Sequence, residues 1–250
     1  MALQEEFESQ GNWLFKYRGS LPFIPLVIGA FLFVQVKLNP ALFCIEDSPY
    51  ELYYELFCLA ISLFGLAIRI YTIGHTHSNT SGRNTEDQIA DNLNTTGIYS
   101  MVRHPLYLGN FFMWIGPAML TGNLWFVVAF CLFYWLYYER IMFAEEQFLR
   151  RKFGNAYTDW ANSVPSFIPN FKKFVAPKLP MSWKKVIKQE KIGLFLTLLI
   201  FASFNVAGNY LQSKEDYNYY LIGACLLSLL LYIVLKIIIK KSNLLEIEAR

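Results

Sequence analysis

GIYSMVRHPLYLG, at residues 97–109, is the stretch that decides the fold. Arg103, His104 and Pro105 stand directly before an apolar run. Pro105 suits the first turn of a helix, where its missing N–H would have no partner anyway. The stretch therefore predicts a helix that enters a membrane from a polar surface, with free N–H groups and a partial positive charge at its start. Such a start suits a carboxylate or a phosphate, although a basic membrane anchor with a capping histidine would have the same sequence.

A second polar cluster, AEEQFLRRKFGNAYTDWANSVPSFIP at residues 144–169, follows about one helical hairpin later. If this segment begins as a helix, Glu139, Glu146 and Arg150 share one face, and Glu145 lies about 100° away. A solvated helix face with one weak ion pair would give the same pattern. Because these acids lie so close to an apolar run that follows the Arg-His pair, we favour a polar ligand. We expect the two clusters to meet at a membrane surface and to form one cofactor site.

The composition is that of an integral membrane protein. Of the 250 residues, 55% are hydrophobic and only 16% are charged, whereas a soluble domain has about 25% charged residues. The apolar residues form long runs, which predict an all-α polytopic membrane protein with about six transmembrane helices. The predicted spans are residues 21–38, 53–73, 106–120, 124–138, 192–211 and 219–239.

Charge and metal-ligand patterns argue against several other classes. A net charge of +3 is too small to suggest nucleic acid as a partner. The four cysteines are scattered without CxxC spacing, so we predict no metal site and no disulfide framework from them. His75 and His77 form an HxH pair without an evident third ligand, and we predict no metal there either.

The distribution of basic residues predicts how the chain is oriented. With six spans and the N-terminus inside, the outer loops hold only Lys37 and Lys214. Both polar clusters and the basic segment 171–191 then lie on the cytoplasmic side, where a cofactor pocket would face the cytosol. The acidic start of the chain shows no cleavable signal peptide. We expect a protein of the bacterial inner membrane, although one of the endoplasmic reticulum could look alike.

Three regions follow from these patterns. Residues 1–93 hold two spans and a polar cytosolic loop, and residues 94–170 hold the helical hairpin and the cofactor motifs. Residues 171–250 hold the basic interfacial segment and two further transmembrane helices. The sequence indicates neither the role of those last two helices nor the oligomeric state.

The two polar clusters together resemble the isoprenylcysteine carboxyl methyltransferase and phospholipid methyltransferase superfamily of membrane proteins. The resemblance covers residues 94–170, and its elements occur in the same order and at the same spacing. The matching positions are Gly97, Tyr99, Arg103, His104, Pro105, Tyr107, Gly109, Glu145, Glu146, Phe153, Gly154, Tyr157, Val164, Pro165, Ile168 and Pro169. The last two predicted spans lie beyond these motifs.

This resemblance implies an enzyme that uses S-adenosylmethionine to methylate a lipid acceptor, which enters from the bilayer. The residues implied to bind the cofactor are Tyr99, Arg103, His104, Pro105, Leu106, Tyr107, Gly109, Glu145 and Glu146. Arg140 precedes the first acid of the Glu145-Glu146 pair by five residues, and the resemblance implies that Arg140 and Glu146 are catalytic.

An anionic acceptor group fits the arginine-rich polar segments. An amine acceptor must lose a proton and would need a general base, whereas a phosphate or carboxylate needs only cations to position it. We predict that Arg83, Asn84 and Arg103 contact the acceptor. An ordinary hydrophilic loop at residues 81–85 is the alternative for the first two.

Three other functions stay open at this stage. One is a phospholipid amine N-methyltransferase. Another is a nicotinamide-dependent membrane reductase with a related RHP motif, although such a reductase should have more spans before the motif than the two predicted here. The third is a non-catalytic transporter subunit or scaffold, which the scarcity of charges in mid-span disfavours.

Overall fold

The computed structural model describes residues 2–20, 22–77 and 88–241. The described residues form helices without any extended strand, which confirms the all-α prediction. The helices are α1 (Leu3–Lys16), α2 (Phe23–Leu38), α3 (Glu51–Gly74), α4 (Pro105–Leu120), α5 (Leu124–Phe153), α6 (Asn155–Ser163), α7 (Trp183–Leu211) and α8 (Tyr219–Lys241).

In the part of the chain that the structure describes, six helices run between the two ends of the bundle, namely α2, α3, α4, α5, α7 and α8. Helices α3 and α4 are antiparallel, since the hydroxyl of Tyr54 near the start of α3 donates to the carbonyl of Met119 at the end of α4. Helix α5 returns beside α4, and α7 runs back along α3. The end that holds His104 and Glu146 is called the site end below, and the other is called the far end.

Four of these helices are long and apolar enough to cross a membrane, namely α3, α5, α7 and α8. The six predicted spans all fall on helices, but α2 and α4 have only 16 residues each. A helix of that length is about 24 Å long. The protein is therefore a multi-pass membrane protein, and four of its described helices are long enough for a full span.

Glycines let α3 and α4 pack with their backbones in contact. A Cβ atom on Gly65 of α3 would lie 2.4 Å from the carbonyl oxygen of Gly109, and one on Gly116 would lie 2.5 Å from that of Cys58. Small residues at such crossings are typical of helix pairs in membranes, where close packing replaces the hydrophobic effect. This contact fixes the start of α4 against the end of α3.

The amphipathic helix α1 was missing from the sequence prediction. It lies along the second half of α5, so closely that a Cβ atom on Gly11 would fall 2.1 Å from the carbonyl oxygen of Arg140. The hydroxyl of Tyr137 donates to the carbonyl of Leu14, and Phe15 is buried. Apolar residues at positions 7, 14 and 15 form the helical signal in the sequence. As a result, α1 covers one side of the site end.

Candidate cofactor and acceptor site

Backbone hydrogen bonds join the two polar clusters. The N–H groups of Arg103 and His104 donate to the carbonyls of Pro165 and Ser166, at 2.9 and 3.2 Å. Asn170 returns a bond to the carbonyl of Met101 at 2.9 Å. The segment after α6 stays extended because proline cannot continue a helix, and its carbonyls are then available. The chain before α4 is thus held against the chain after α6.

Glu146 forms the inner, structural half of the acidic pair. Its Oε1 lies 3.0 Å from Nε2 of His104 and 2.9 Å from Nε of Arg103. The Nη1 group of Arg103 also donates to the carbonyls of Ala161 and Val164, at 2.6 and 3.1 Å. Arg103 therefore clamps the end of α6 to α5.

Glu145 forms the outer half of the pair and faces open space. The hydroxyl of Tyr107 donates to its Oε1 at 2.7 Å, and Nδ1 of His104 lies 3.5 Å from its Oε2. The imidazole of His104 lies between the two carboxylates and stacks on the ring of Tyr107, with centroids 5.8 Å apart. The hydroxyl of Tyr134 fixes the carbonyl of Tyr107 at 2.6 Å.

These groups border a cavity of about 440 Å³ at the site end, a volume typical of a cofactor site. Seven of the predicted site residues line it: Tyr99, Arg103, His104, Pro105, Leu106, Tyr107 and Glu145. Sequence reasoning missed several other lining residues, including Arg18, Arg69, Asn110, Trp160 and Gln189. They come from α3, α4, α6 and α7 and from the turn after α1. No local pattern in the sequence joins these elements.

Three other predicted site residues lie outside this lining. Glu146 is behind His104, and Gly109 faces α3, where a Cβ atom would come within 2.6 Å of Cγ of Arg69. Arg140 lies on the side of α5 that faces α1, with its Cζ 3.5 Å from the centroid of the Phe7 ring and its Nη1 3.2 Å from Oε2 of Glu139. The catalytic roles of Arg140 and Glu146 stay predictions.

The predicted acceptor contacts Arg83 and Asn84 lie outside the described residues. His75, of the HxH pair, has its Nδ1 2.8 Å from the carbonyl oxygen of Leu179. Among the described residues, an acidic group that could hold a cation is Glu46, Asp47 and Glu51 at the far end. Lys37 already pairs with Glu46 and Glu51.

The surroundings of His104 favour its charged form. Burial opposes the charge, but the hydrogen bonds and negative charges of Glu145 and Glu146 outweigh it and raise the pKa of His104 above its usual value of 6.5. Arg103 pairs with the same Glu146, and Tyr107 donates to the same Glu145. An imidazolium between two carboxylates binds the start of α4 to α5.

Stability is therefore expected to fall at alkaline pH. A histidine whose pKa is raised in the folded protein contributes its stability fully below 6.5, the pKa of the unfolded chain, and loses it as the pH rises through the folded pKa. The free energy of unfolding in detergent micelles should decline above pH 6.5 in the wild type relative to His104→Asn. Parallel pH profiles of the two proteins would contradict this account.

Comparison with known proteins gives one family match and several similar relatives. Residues 56–156 match the family model described as phospholipid methyltransferase. The chain is similar to the protein-S-isoprenylcysteine O-methyltransferase of Schizosaccharomyces pombe, with 38% identity over 38% of each chain. It is similar to that of Saccharomyces cerevisiae, with 29% identity over 60% of this chain and 61% of the relative. The probable enzyme of Oryza sativa subsp. indica is 34% identical over 44% of this chain and 59% of its own.

Each of these similarities covers less than two thirds of the relative's length. No solved structure matches the chain significantly. The matched segment 56–156 covers most of α3 and all of α4 and α5, and it includes His104, Tyr107 and Glu145.

Proposed function

We propose that the protein transfers a methyl group from S-adenosylmethionine to a lipidated acceptor, because residues 56–156 match the family model described as phospholipid methyltransferase. The favoured acceptor group is the carboxylate of an S-isoprenylcysteine, after which the relatives are named. The observation that carries this proposal is the cavity at the site end. It combines a carboxylate, aromatic rings and guanidinium groups around one space of about 440 Å³.

The cofactor side of the cavity is the wall formed by α4 and α5. Bound S-adenosylmethionine would supply an electrophilic methyl group on a positively charged sulfur. The carboxylate of Glu145 and the ring faces of Tyr107 and Tyr138 can stabilise that charge. The free N–H groups at the start of α4 suit the carboxylate of the cofactor's amino-acid part.

The acceptor side is the wall that contains Arg69 of α3. A carboxylate acceptor is already deprotonated, so it needs no general base and only has to be aligned with the methyl group. Guanidinium groups suit this task because they bind carboxylates with two parallel hydrogen bonds. Arg103 also lines the cavity, but its guanidinium already ties the end of α6 to α5, so we favour Arg69. Arg83 and Asn84 stay proposed acceptor contacts.

The orientation in the membrane is proposed on the charge pattern. The site end carries a belt of lysines that the positive-inside rule assigns to the cytoplasm. Its members are Lys172, Lys173, Lys178, Lys184, Lys188, Lys240 and Lys241. The proposed cofactor site then opens to the cytosol. The assignment to a bacterial inner membrane and the division into regions 1–93, 94–170 and 171–250 stay predictions.

A transfer assay tests the proposed function. Detergent-purified protein is given S-adenosylmethionine with a labelled methyl group, together with N-acetyl-S-farnesylcysteine or a total lipid extract. Label in a base-labile ester of the prenylcysteine would support the proposal. Label on a phospholipid amine would support the N-methyltransferase instead. No transfer and no cofactor binding would overturn both, and binding of a nicotinamide dinucleotide would then favour the reductase.

The substitution Arg140→Ala tests whether Arg140 is catalytic, as the resemblance implies, although its side chain lies outside the cavity. Arg140 stacks on Phe7 and does not line the cavity, so we expect Arg140→Ala to leave kcat within about threefold. The loss of a partly exposed cation–π contact should lower the free energy of unfolding by about 1 kcal/mol. The kcat values of the wild type and Arg140→Ala are compared in micelles, at a temperature where the variant is folded. A loss of kcat of a hundredfold or more would assign the catalytic role to Arg140 after all.

A further inference from the structure

We propose that α7, which lies beyond the matched segment 56–156, completes the acceptor wall, and that its Glu190 is the residue that positions Arg69. This inference rests on the proposed function and deepens it. It gives a role at the site to a helix for which the sequence indicated none.

Arg69 and Glu190 form a buried, two-pronged ion pair. Nε and Nη2 of Arg69 donate to the two carboxylate oxygens of Glu190 at 3.1 and 2.6 Å. On the other side of the guanidinium, Nη1 donates to Oδ1 of Asn110 at 2.6 Å. The side chain of Glu190 is only 5% exposed, whereas that of Arg69 is 19% exposed. The arginine therefore reaches the cavity, and the glutamate supports it from behind.

The geometry leaves Arg69 with donors to spare. A guanidinium has five N–H groups, and Glu190 and Asn110 occupy three of them. Two N–H groups remain, while the contacts to α7 and α4 hold the plane of the guanidinium. A group fixed in this way loses little entropy when it binds a ligand.

The surrounding backbone makes room for this pair. Gly109 allows the stem of Arg69 to cross α4, because a Cβ atom there would lie 2.6 Å from Cγ of Arg69. Gly193 of α7 lies beside Glu190, and a Cβ atom there would be 3.0 Å from Oε2 of Glu190. The neighbouring Gln189 lines the cavity directly. One turn of α7 thus belongs to the wall on which the acceptor carboxylate would lie.

A second polar contact between the same two helices provides a matched control. At the far end, Nδ2 of Asn205 in α7 donates to Oε2 of Glu55 in α3 at 3.3 Å. Neither Glu55 nor Asn205 lines the cavity at the site end. Glu55→Gln therefore makes the same chemical change as Glu190→Gln in the same pair of helices, away from the site.

The experiment compares the wild type, Glu190→Gln and Glu55→Gln as purified full-length proteins. The probes are N-acetyl-S-farnesylcysteine and its neutral carboxamide. The dissociation constant of each probe is measured for each protein, and methyl transfer is measured separately. We expect Glu190→Gln to reduce the preference for the carboxylate over the carboxamide about tenfold or more. Its affinity for S-adenosylmethionine should stay within about twofold. Glu55→Gln should change neither quantity.

Each result has a separate meaning. A Glu190→Gln protein that keeps its preference for the carboxylate, or that changes no more than Glu55→Gln, would overturn the inference, while methyl transfer by the wild type would still support the proposed function. A wild type without transfer and without cofactor binding would overturn the proposed function, and the inference with it. If Glu190→Gln does not fold, Glu190→Asp keeps the charge and draws the carboxylate back by one methylene. Unaltered carboxylate preference in that variant would also contradict the inference.

Discussion

Replacing Glu145 with glutamine is expected to weaken the binding of S-adenosylmethionine about a hundredfold and to leave the protein folded. Glu145 is the carboxylate of the pair that lines the cavity, and under the proposed function its charge offsets that of the sulfonium. Removing a preorganised charged partner from such a site costs about 3 kcal/mol, which is more than a hundredfold in affinity. Stability should fall less than in Glu146→Gln, since the glutamine keeps an acceptor for the hydroxyl of Tyr107 and Glu146 still pairs with His104.

The matched substitution one residue further on should behave differently. Glu146→Gln removes the carboxylate that lies between Arg103 and His104, so two cations lose a counter-ion. Breaking a buried pair in this way costs about 3 kcal/mol of stability. Titration calorimetry with S-adenosylmethionine and denaturant titration in micelles distinguish the two variants. Equal cofactor affinities of the Glu145→Gln variant and the wild type would refute the assignment of Glu145.

Where the determinants are local, the sequence predicted the structure around the site end. Pro105 marks the start of α4, and Pro165 and Pro169 mark the extended segment that pairs with it. The expectation that the two polar clusters meet rested on the helical hairpin predicted between them. The helical spacing also separated Glu145 from Glu146 by about 100°. Which of the two faces the cavity depends on the rotation of α5, and packing of Tyr134 and Tyr138 against α4 sets that rotation.

Long-range pairing explains what the sequence did not predict. Arg69 falls near the end of the predicted span 53–73, but its partner Glu190 is 121 residues away in the chain. No periodicity in the sequence relates such positions. A lone acid at the start of an apolar run is as typical of a solvated helix end as of a buried ion pair. The role of α1 was missed for a related reason, because a short amphipathic helix with acids in its first turn has the composition of a polar terminus.

Arg103→Lys is expected to lower the free energy of unfolding by about 3 kcal/mol, and this variant separates two roles of Arg103. The sequence suggested a contact to the acceptor. In the structure, the guanidinium reaches the carbonyls of Ala161 and Val164 and lies beside Glu146. A lysine ammonium is a single point charge and cannot reproduce contacts that depend on a planar fork. The loss of charge-assisted hydrogen bonds to buried carbonyls costs about 1.5–3 kcal/mol each.

The control for this prediction is Arg151→Lys in the last turn of α5. Arg151 pairs with Glu8 of α1, but its side chain is 61% exposed, and exposed pairs contribute less than about 1 kcal/mol. Denaturant titration in micelles gives the free energy of unfolding of both variants. The KM for the farnesylcysteine probe is measured on the folded fraction of each protein. If Arg103 clamps α6 to α5, stability falls and the KM changes little, since Arg69 still binds the acceptor carboxylate. A raised KM at unchanged stability would instead restore Arg103 as the acceptor contact and leave the end of α6 to be held by its backbone hydrogen bonds.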